Sequence, residues 1–283
     1  MTAPRDRAGH SLLELLVGLT LLGIVLGAVL GTTLRSWRAH GTHGARAELR
    51  AQLEAGVHAL AVDLAPLSAA AGDLSAGEAR DTSIEIRALV TSAAVCDTAS
   101  GALALRPLAP LDGADLATPL PQPGDEVWSL VGEGPEARWA ATAITSARRD
   151  AAACGADGTA VRIAVRDAAW PRAPHAPARI TRLARWSLYR AADGWHLGRR
   201  EWNPTAARFD VVQPVAGPLE PPGATSGLSF VYVDSAGVEL PAGAADTRPI
   251  ARVEVTLRAR LRRGAPLDSA AVAVALGRHE ARP

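Results

Sequence analysis

This chain of 283 residues contains no lysine. All 30 of its basic residues are arginine and they face 29 acidic residues, so the formal net charge is only +1. Proteins that bind nucleic acid usually carry a basic excess on one face, and this balance argues against such a partner. Because Ala, Gly and Pro are abundant, the missing lysine indicates a compositional bias, in which arginine carries less functional meaning than usual.

Aromatic side chains are also scarce, at 4% of the residues, although seven of them are Trp against two Tyr and two Phe. The core must therefore be built mainly from Ala, Val and Leu. Cysteine occurs twice, at Cys96 and Cys154. Two cysteines cannot form a zinc site alone. In an oxidising compartment they would form one disulfide, whereas two unpaired buried thiols are the alternative.

Motifs that carry catalysis are missing as well. The sequence has no G-x-S-x-G, no P-loop, no dinucleotide-binding G-x-G-x-x-G and no H-E-x-x-H. His40 and His43 are interpreted as solvated residues at a helix break. The loop acids Asp97, Asp112 and Asp115 lack the dense spacing of a calcium loop. We therefore predict no catalytic residue, no metal, no cofactor and no enzymatic activity.

The N-terminus carries the strongest pattern. A polar leader with two arginines, residues 1–9, precedes a segment in which Glu14 is the only charged side chain from Leu12 to Leu34. About 20 apolar residues suffice to span a bilayer as a helix. A cleaved secretory signal has a shorter apolar region, and its cleavage site lies C-terminal to that region. Here the one evident processing point, Gly9, lies N-terminal to the apolar run.

Glu14 is the informative residue of this segment. A carboxylate in hydrocarbon costs roughly 2.5–3.5 kcal/mol and usually pairs or faces a protein interior. Cleavage after Gly9 would give His10 a free α-ammonium group, a counter-charge that a neighbouring subunit can best supply. The alternative is that Glu14 sits unpaired at the membrane interface.

Four features follow one another along the chain: a basic leader, Gly9, one residue at the cut, and Ser11–Val17 with Glu14. Their order resembles the prepilin peptidase site of type IV pilins and type II secretion pseudopilins. The resemblance implies cleavage between Gly9 and His10, methylation of the new amino group of His10, and pairing of Glu14 with the amino terminus of an adjacent subunit. The family usually has Phe after the cut, where this chain has His10. Gly23, Gly27 and Gly31 recur every four residues, a spacing that lets membrane helices approach closely, although Gly is also common in membrane helices generally.

The membrane topology involves a conflict. Arginines near a span favour the cytoplasmic side, and the leader offers two, whereas the other flank offers four. By count alone the C-terminal side would be cytoplasmic. The resemblance to a substrate of prepilin peptidase, which works at the cytoplasmic face, favours export of the C-terminal body instead. The arginines concerned are Arg5 and Arg7 in the leader and Arg35, Arg38, Arg46 and Arg50 beyond the span.

Beyond the span, apolar residues at helical spacing predict an amphipathic helix. A break after the membrane segment is expected at Gly41 or Gly44. After Pro66 the period changes to two, as expected for half-buried antiparallel strands, most clearly over 252–261. Asp193-Gly194 and Asp234–Gly237 are turn signals between strands. The helix stripe is Leu49, Leu53, Val57, Leu60, Leu64 and Leu67, and the strand signals include Ile84 and Ile86, Val161, Ile163 and Val165, and Val253, Val255, Leu257, Ala259 and Leu261.

The predicted fold class is thus α+β and pilin-like, with a long N-terminal transmembrane and amphipathic helix packed on an antiparallel β-rich head. We predict a leader at 1–9, a transmembrane helix at 10–34, an amphipathic helix at 35–66 and a periplasmic head at 67–283. The strands around 227–234 and 250–257 also resemble those of minor pilin W and minor pseudopilin J, and a large head is easier to place at a filament tip.

The resulting function is that of a minor pilin or pseudopilin in a type IV pilus or type II secretion pseudopilus. Its expected partners are prepilin peptidase, other pilin or pseudopilin subunits and an inner-membrane assembly platform, and its expected location is the bacterial inner membrane with the head in the periplasm. The alternative is a membrane-anchored periplasmic binding protein or enzyme with an uncleaved signal anchor.

Overall fold

The computed structural model describes residues 12–98, 102–107, 120–131, 138–150, 154, 160–167, 175–262 and 264–277. The chain divides into two compact units, Met1–Leu49 and Arg50–Pro283.

In the first unit the structure describes the N-terminal part of helix α1, whose full bounds are Leu12–Leu64. The large apolar side chains described between Leu12 and Leu34 are exposed, among them Leu12 and Ile24 at 85% and 69%. The break expected at Gly41 or Gly44 is wrong, because both residues lie inside the continuous helix. A glycine costs only about 1 kcal/mol in a helix interior. The neighbouring Ala, Arg and Glu residues favour the helix and no proline interrupts it.

The second unit begins with the last turns of α1. Leu53, Val57, Leu60 and Leu64 are at most 8% exposed, and Leu67 just beyond the helix is 1% exposed. The stripe predicted from their spacing is therefore confirmed as the buried face of this segment. It supplies a large share of the apolar core, since each fully buried Leu or Val contributes about 1.5–3 kcal/mol.

The rest of the second unit is antiparallel β-structure, which confirms the α+β, pilin-like fold class: an N-terminal apolar helix followed by a large antiparallel β-rich head. The strands are β1 (Ser83–Asp97), β2 (Ala102–Pro107), β3 (Glu126–Val131), β4 (Arg138–Arg149), β5 (Val161–Val165), β6 (Pro177–Arg190), β7 (Trp195–Asn203), β8 (Arg208–Phe209), β9 (Gln213–Leu219), β10 (Leu228–Val233), β11 (Glu239–Leu240), β12 (Arg252–Ala259) and β13 (Asp268–Ala275).

Six of these strands close into a ring. The order β1-β2-β5-β4-β3-β6 is completed by a direct pairing of β6 with β1, so each member has a neighbour on both sides. Closure removes free strand edges. The ring encloses an apolar cluster contributed by its strands and by Ala176, in which Leu103, Val127 and Ile163 are fully buried. The predicted strand with Val161, Ile163 and Val165 is confirmed as β5.

Strands β1 and β6 are longer than the ring requires, and β6 continues along β7, which pairs with β9. The predicted hairpin at Asp193-Gly194 is confirmed, because Arg190 of β6 faces Trp195 of β7. The end of α1 lies close to both sheets: a methyl group added at Gly56 would lie 2.8 Å from Ala216 Cβ of β9 and 2.6 Å from Leu257 Cδ1 of β12.

A second sheet has the order β11-β10-β12-β13. In β12, Val253, Val255, Leu257 and Ala259 are fully buried, as their alternation predicts. The extension to Leu261 is wrong, because that residue is 37% exposed and lies beyond the strand. Pairing with β13 begins at Ala259, so the chain has no ladder partner beyond it.

The turn between β10 and β11 follows its sequence signal. Asp234 Oδ1 accepts hydrogen bonds of 2.8 Å from the N–H groups of Ala236 and Val238. Gly237 adopts φ of 85°, a left-handed conformation that glycine takes without strain. The turn predicted from Asp234–Gly237 is therefore confirmed.

Candidate functional site

The N-terminal processing site predicted at Gly9 and His10 lies outside the residues that the structure describes, so their roles stay predictions. The first described feature of this segment is Glu14, in the first turn of α1 with its side chain exposed. A carboxylate in the first helical turn interacts favourably with the positive end of the helix dipole. This position leaves the acid accessible to a partner beside the helix start.

The segment from Glu14 to Arg35 is a helix long and apolar enough to cross a membrane, with a mean hydropathy of 2.4. Its 22 residues correspond to about 33 Å at the helical rise, which matches a hydrocarbon core of about 30 Å. No part of the apolar window is buried within the structure. Such a surface requires lipid or other helices to cover it.

Gly23, Gly27 and Gly31 fall within this span. A methyl group added at any of them would meet no heavy atom within 4 Å. Their four-residue spacing places them near one side of the helix, so they form an open strip of backbone. The described residues form no second helix, and their packing role therefore stays a prediction.

The threonine side chains of the span are satisfied locally. Thr20 Oγ1 donates to Val17 O at 2.8 Å, and Thr33 Oγ1 donates to Val29 O at 2.8 Å. Backbone carbonyls three or four residues earlier are the usual acceptors for threonine in helices. The threonines therefore bring no unpaired hydrogen-bonding group into the apolar run.

A different kind of cluster fixes the end of α1 in the head. Asp63, in the last turn, accepts hydrogen bonds from Trp186 Nε1 at 3.0 Å and from Arg199 Nε at 2.8 Å. Arg199 Nη1 also donates a hydrogen bond to Glu201. Glu201 in turn accepts a hydrogen bond of 2.8 Å from Arg182 Nη1. The chain of ion pairs thus joins the helix to β6 and β7.

The same cluster continues to Asp125. Its two carboxylate oxygens accept hydrogen bonds of 2.7 and 2.8 Å from Arg182 Nε and Nη2. The hydrogen bond to Asp125, opposed by burial and aided by Glu201, raises the pKa of Arg182. Burial pushes the pKa of Glu201 upward, but hydrogen bonds from Arg199 and Arg182 outweigh that effect and leave the pKa below its ordinary value. Both groups are therefore held in their charged forms.

A second buried pair joins Asp73 to Arg179. Two hydrogen bonds of 2.6 and 2.9 Å connect the carboxylate to the guanidinium, and the two residues are 0% and 7% exposed. The Arg179 Cζ lies 4.9 and 5.4 Å from the ring centroids of Trp128 and Trp139. Cation–π contact of this kind adds to the ion pair when the groups are desolvated.

Sequence reasoning missed these arginine clusters, because it assigned arginine to compositional bias. The aspartate partners of Arg179 and Arg199 lie 106 and 136 positions away along the chain. No local spacing connects such residues. A usable signal is the recurrence of Arg179, Arg182 and Arg185 on β6, since arginines on a half-buried strand require nearby acids.

The cysteines come together in the head. Cys96, near the end of β1, is joined to Cys154 between β4 and β5, with their Cα atoms 5.6 Å apart. This separation is typical of a disulfide. The bond would link the end of β1 to the connection between β4 and β5. Its formation in the cell stays a prediction.

The residues that the structure describes contain no group of three or more His, Cys, Asp or Glu side chains able to hold a metal ion. Asp97 lies 3.7 Å from Arg162 Nη2, an arrangement that favours an ion pair. Asp112 and Asp115, the other acids considered from the sequence, lie outside the described residues.

Comparison with known proteins adds one finding to this geometry. The family model described as the prokaryotic N-terminal methylation motif matches residues 4–30. No curated protein and no solved structure matches the chain. The motif implies processing by prepilin peptidase and assembly with other pilin subunits, and together with the apolar helix it fits a membrane-anchored protein that is incorporated into a pilus-type filament. It indicates a structural role of the pilin type, and within residues 4–30 the chain is similar to type IV pilins and pseudopilins.

Proposed function

We propose that the protein is a minor pilin or minor pseudopilin, similar to the W or J subfamilies, which acts as a structural subunit near the tip of a filament. The observation that carries this proposal is the methylation motif at residues 4–30, with Glu14 in the first turn of an uncovered apolar helix. Prepilin peptidase cleaves after Gly9, and His10 becomes the methylated first residue.

Glu14 then serves as the assembly contact. It is the fifth residue of the mature chain, in the first turn of α1. In lipid its carboxylate costs roughly 2.5–3.5 kcal/mol, and the α-ammonium group of an adjacent subunit offsets this cost. Pairing is possible only after cleavage exposes that amine, which orders processing before assembly.

The helix surface supplies the remaining contact. The open positions at Gly23, Gly27 and Gly31 permit close approach of a neighbouring helix, because small residues let helix backbones pack tightly in membranes. The subunit waits in the inner membrane with its head in the periplasm, where an oxidising environment favours the Cys96–Cys154 disulfide. An inner-membrane platform powered by a cytoplasmic ATPase would move the subunit into the filament.

The mass of the protein extracted from bacterial membranes tests the processing step. We expect loss of residues 1–9, addition of one methyl group and a mass two hydrogens lower than that of the reduced chain. An intact N-terminus in cells with active prepilin peptidase would overturn the proposal in favour of a periplasmic binding protein or enzyme on a signal anchor.

Substitution of Glu14 tests assembly. We expect Glu14→Ala to insert into the membrane and to be cleaved, while its recovery in sheared filaments falls at least about tenfold, a loss equivalent to about 1.4 kcal/mol. Glu48→Ala is the matched control, since Glu48 is an exposed acid on the same helix outside the apolar run. Equal recovery of both variants would contradict the role of Glu14.

A further inference from the structure

Strand β13 forms one edge of the four-stranded sheet. It pairs with β12 along eight consecutive residues without a bulge. Within the described part of the chain, no strand pairs with its outer side. A long, regular edge of this kind offers a row of backbone donors and acceptors to another strand.

The other strand edges of the head are closed or blocked. Each strand of the six-stranded ring pairs with two neighbouring strands, and β8 and β11 contain only two residues each. Strand β9 carries Pro214 and Pro218, which lack an N–H group for pairing. On β10, Phe230 N already donates to Asp81 O. Among the described strands, β13 is therefore the one long edge without such protection.

The backbone register shows which groups of β13 point outward. Leu276 N donates to Ala251 O, and Arg258 N donates to Gly227 O. In an antiparallel ladder the bonded residues alternate between the two sides of a strand. Continuing this alternation along β13 directs the N–H and C=O groups of Ala271, Ala273 and Ala275 away from β12. Three residues thus present unpaired backbone groups toward the same side.

The side chains of β13 leave this edge accessible. Ala271, Ala273 and Ala275 are exposed but small, whereas Val274 on the opposite face is 7% exposed. After Asp268 the strand has no charged residue. It therefore lacks the lysine, proline or bulge by which proteins usually prevent pairing at an edge.

We infer that β13 is a docking edge for an extended, uncharged segment of a different subunit of the same filament, which adds a fifth strand to this sheet. This inference rests on the proposed function. Backbone hydrogen bonds would supply the attachment, as in other cases of strand addition. A segment with small or β-branched side chains on the face of Val274 would continue the apolar surface of the sheet.

Two other occupants fit less well. A second copy could offer only its own β13 as a long open edge among the described strands, and such a self-pairing contact closes a dimer and does not extend a filament. The chain's own residues 278–283, RHEARP, carry three charged side chains and include a proline, a composition that is poorly suited to a strand. A strand from a different polypeptide can extend a filament, and it need not have the charged composition of residues 278–283.

Hydrogen exchange on the full-length protein tests the inference without any substitution. We compare amide exchange in sheared filaments with exchange in detergent micelles, resolved to single residues. The amides of Ala271, Ala273 and Ala275 should exchange about a hundredfold more slowly in filaments, since pairing protects amides from local opening. The amides of Val272 and Val274 should change little, because they already pair with β12. Unchanged rates at all three alanines in processed, incorporated protein would overturn the inference and leave the proposed function intact.

Two variants and a cross-link sharpen the test. Ala273→Pro removes one outward N–H and should lower recovery in filaments at least about tenfold, whereas the control Ala273→Val keeps the N–H and should be recovered normally. Ala271→Lys adds a charge at the edge and should act like the proline variant. Unfolding of each variant in detergent verifies its fold. A photoreactive residue at Ala275 should attach to a different protein that carries the N-terminal methylation motif. Attachment to a second copy or to residues 278–283 would overturn the inference.

Discussion

The two units of the molecule differ in the exposure of their apolar side chains. In the first unit, the leucine, isoleucine and valine side chains that the structure describes between Leu12 and Leu34 are exposed, and no part of the apolar window is buried. In Arg50–Pro283, the same residue types fill a core, and even charged groups such as Asp73 and Arg179 are buried and paired. The first unit needs an environment to complete it, whereas the second is largely complete in itself. Substitutions should therefore act on assembly in the first and on folding in the second.

The largest effect on folding is expected at the buried pair. Asp73→Ala leaves the Arg179 guanidinium charged and without its two hydrogen bonds, and removal of one partner of a buried pair typically costs about 3–5 kcal/mol. Denaturant unfolding of the protein in micelles measures the loss. The exposed pair of Arg248 and Asp246 is the control, since Arg248→Ala should cost less than about 1 kcal/mol. Similar losses for both variants would contradict the distinction.

A pair of identical substitutions in α1 compares the two units directly. Gly56→Ala places a methyl group 2.6 Å from Leu257 Cδ1, and such overpacking costs about 1–3 kcal/mol. Gly44→Ala meets no heavy atom within 4 Å, so the gain of about 1 kcal/mol in helix propensity should dominate. Thermal unfolding should therefore show a lower midpoint for Gly56→Ala only. A stabilised Gly56→Ala variant would show that the helix end does not pack tightly on the head.

The smallest effect concerns acid stability. The pKa of Glu201 is lowered in the folded protein, so the unfolded chain binds more protons as the pH falls below the ordinary value of about 4.3. The stabilisation by Glu201 is complete above that pH and is lost as the pH falls through the lowered folded value. Glu201→Gln should reduce the free energy of unfolding by about 1–2 kcal/mol at pH 7.

The difference between Glu201→Gln and the wild type should shrink as the pH falls below the folded pKa, because the wild-type carboxyl is then protonated as well. Unfolding curves between pH 7 and pH 2 measure this change. A difference that is independent of pH would contradict the ion-pair role of Glu201. Asp246→Asn is the control, since Asp246 belongs to an exposed pair that contributes little to stability.

The sequence predicts the parts of the fold that local pattern determines. The stripe from Leu53 to Leu64 and the alternation of Val253, Val255 and Leu257 each follow a single period and depend on one buried face. The closure of β1 on β6 could not be predicted in this way, because it joins residues such as Ile84 and Trp186 that are distant in sequence. The ion pairs of the buried arginines could not be predicted either. Arginine is so common in this chain that no single arginine is conspicuous, and the aspartate partners lie far away in sequence.

The candidate site shows a similar division. Glu14 and the glycines of α1 could be selected because they interrupt a uniform apolar run, where each exception is conspicuous. The edge at β13 could not, since its alanines form an unremarkable strand and only the neighbouring strands reveal that one side is free.

Asp63 sets an order of events during synthesis. A negative side chain in the last turn of a helix opposes the helix dipole, and α1 has no basic residue there to compensate. The groups that donate hydrogen bonds to it, the Trp186 indole and the Arg199 guanidinium, follow 123 and 136 residues later. During synthesis, this turn cannot form these contacts until both strands have been made. We therefore expect it to become ordered last within α1.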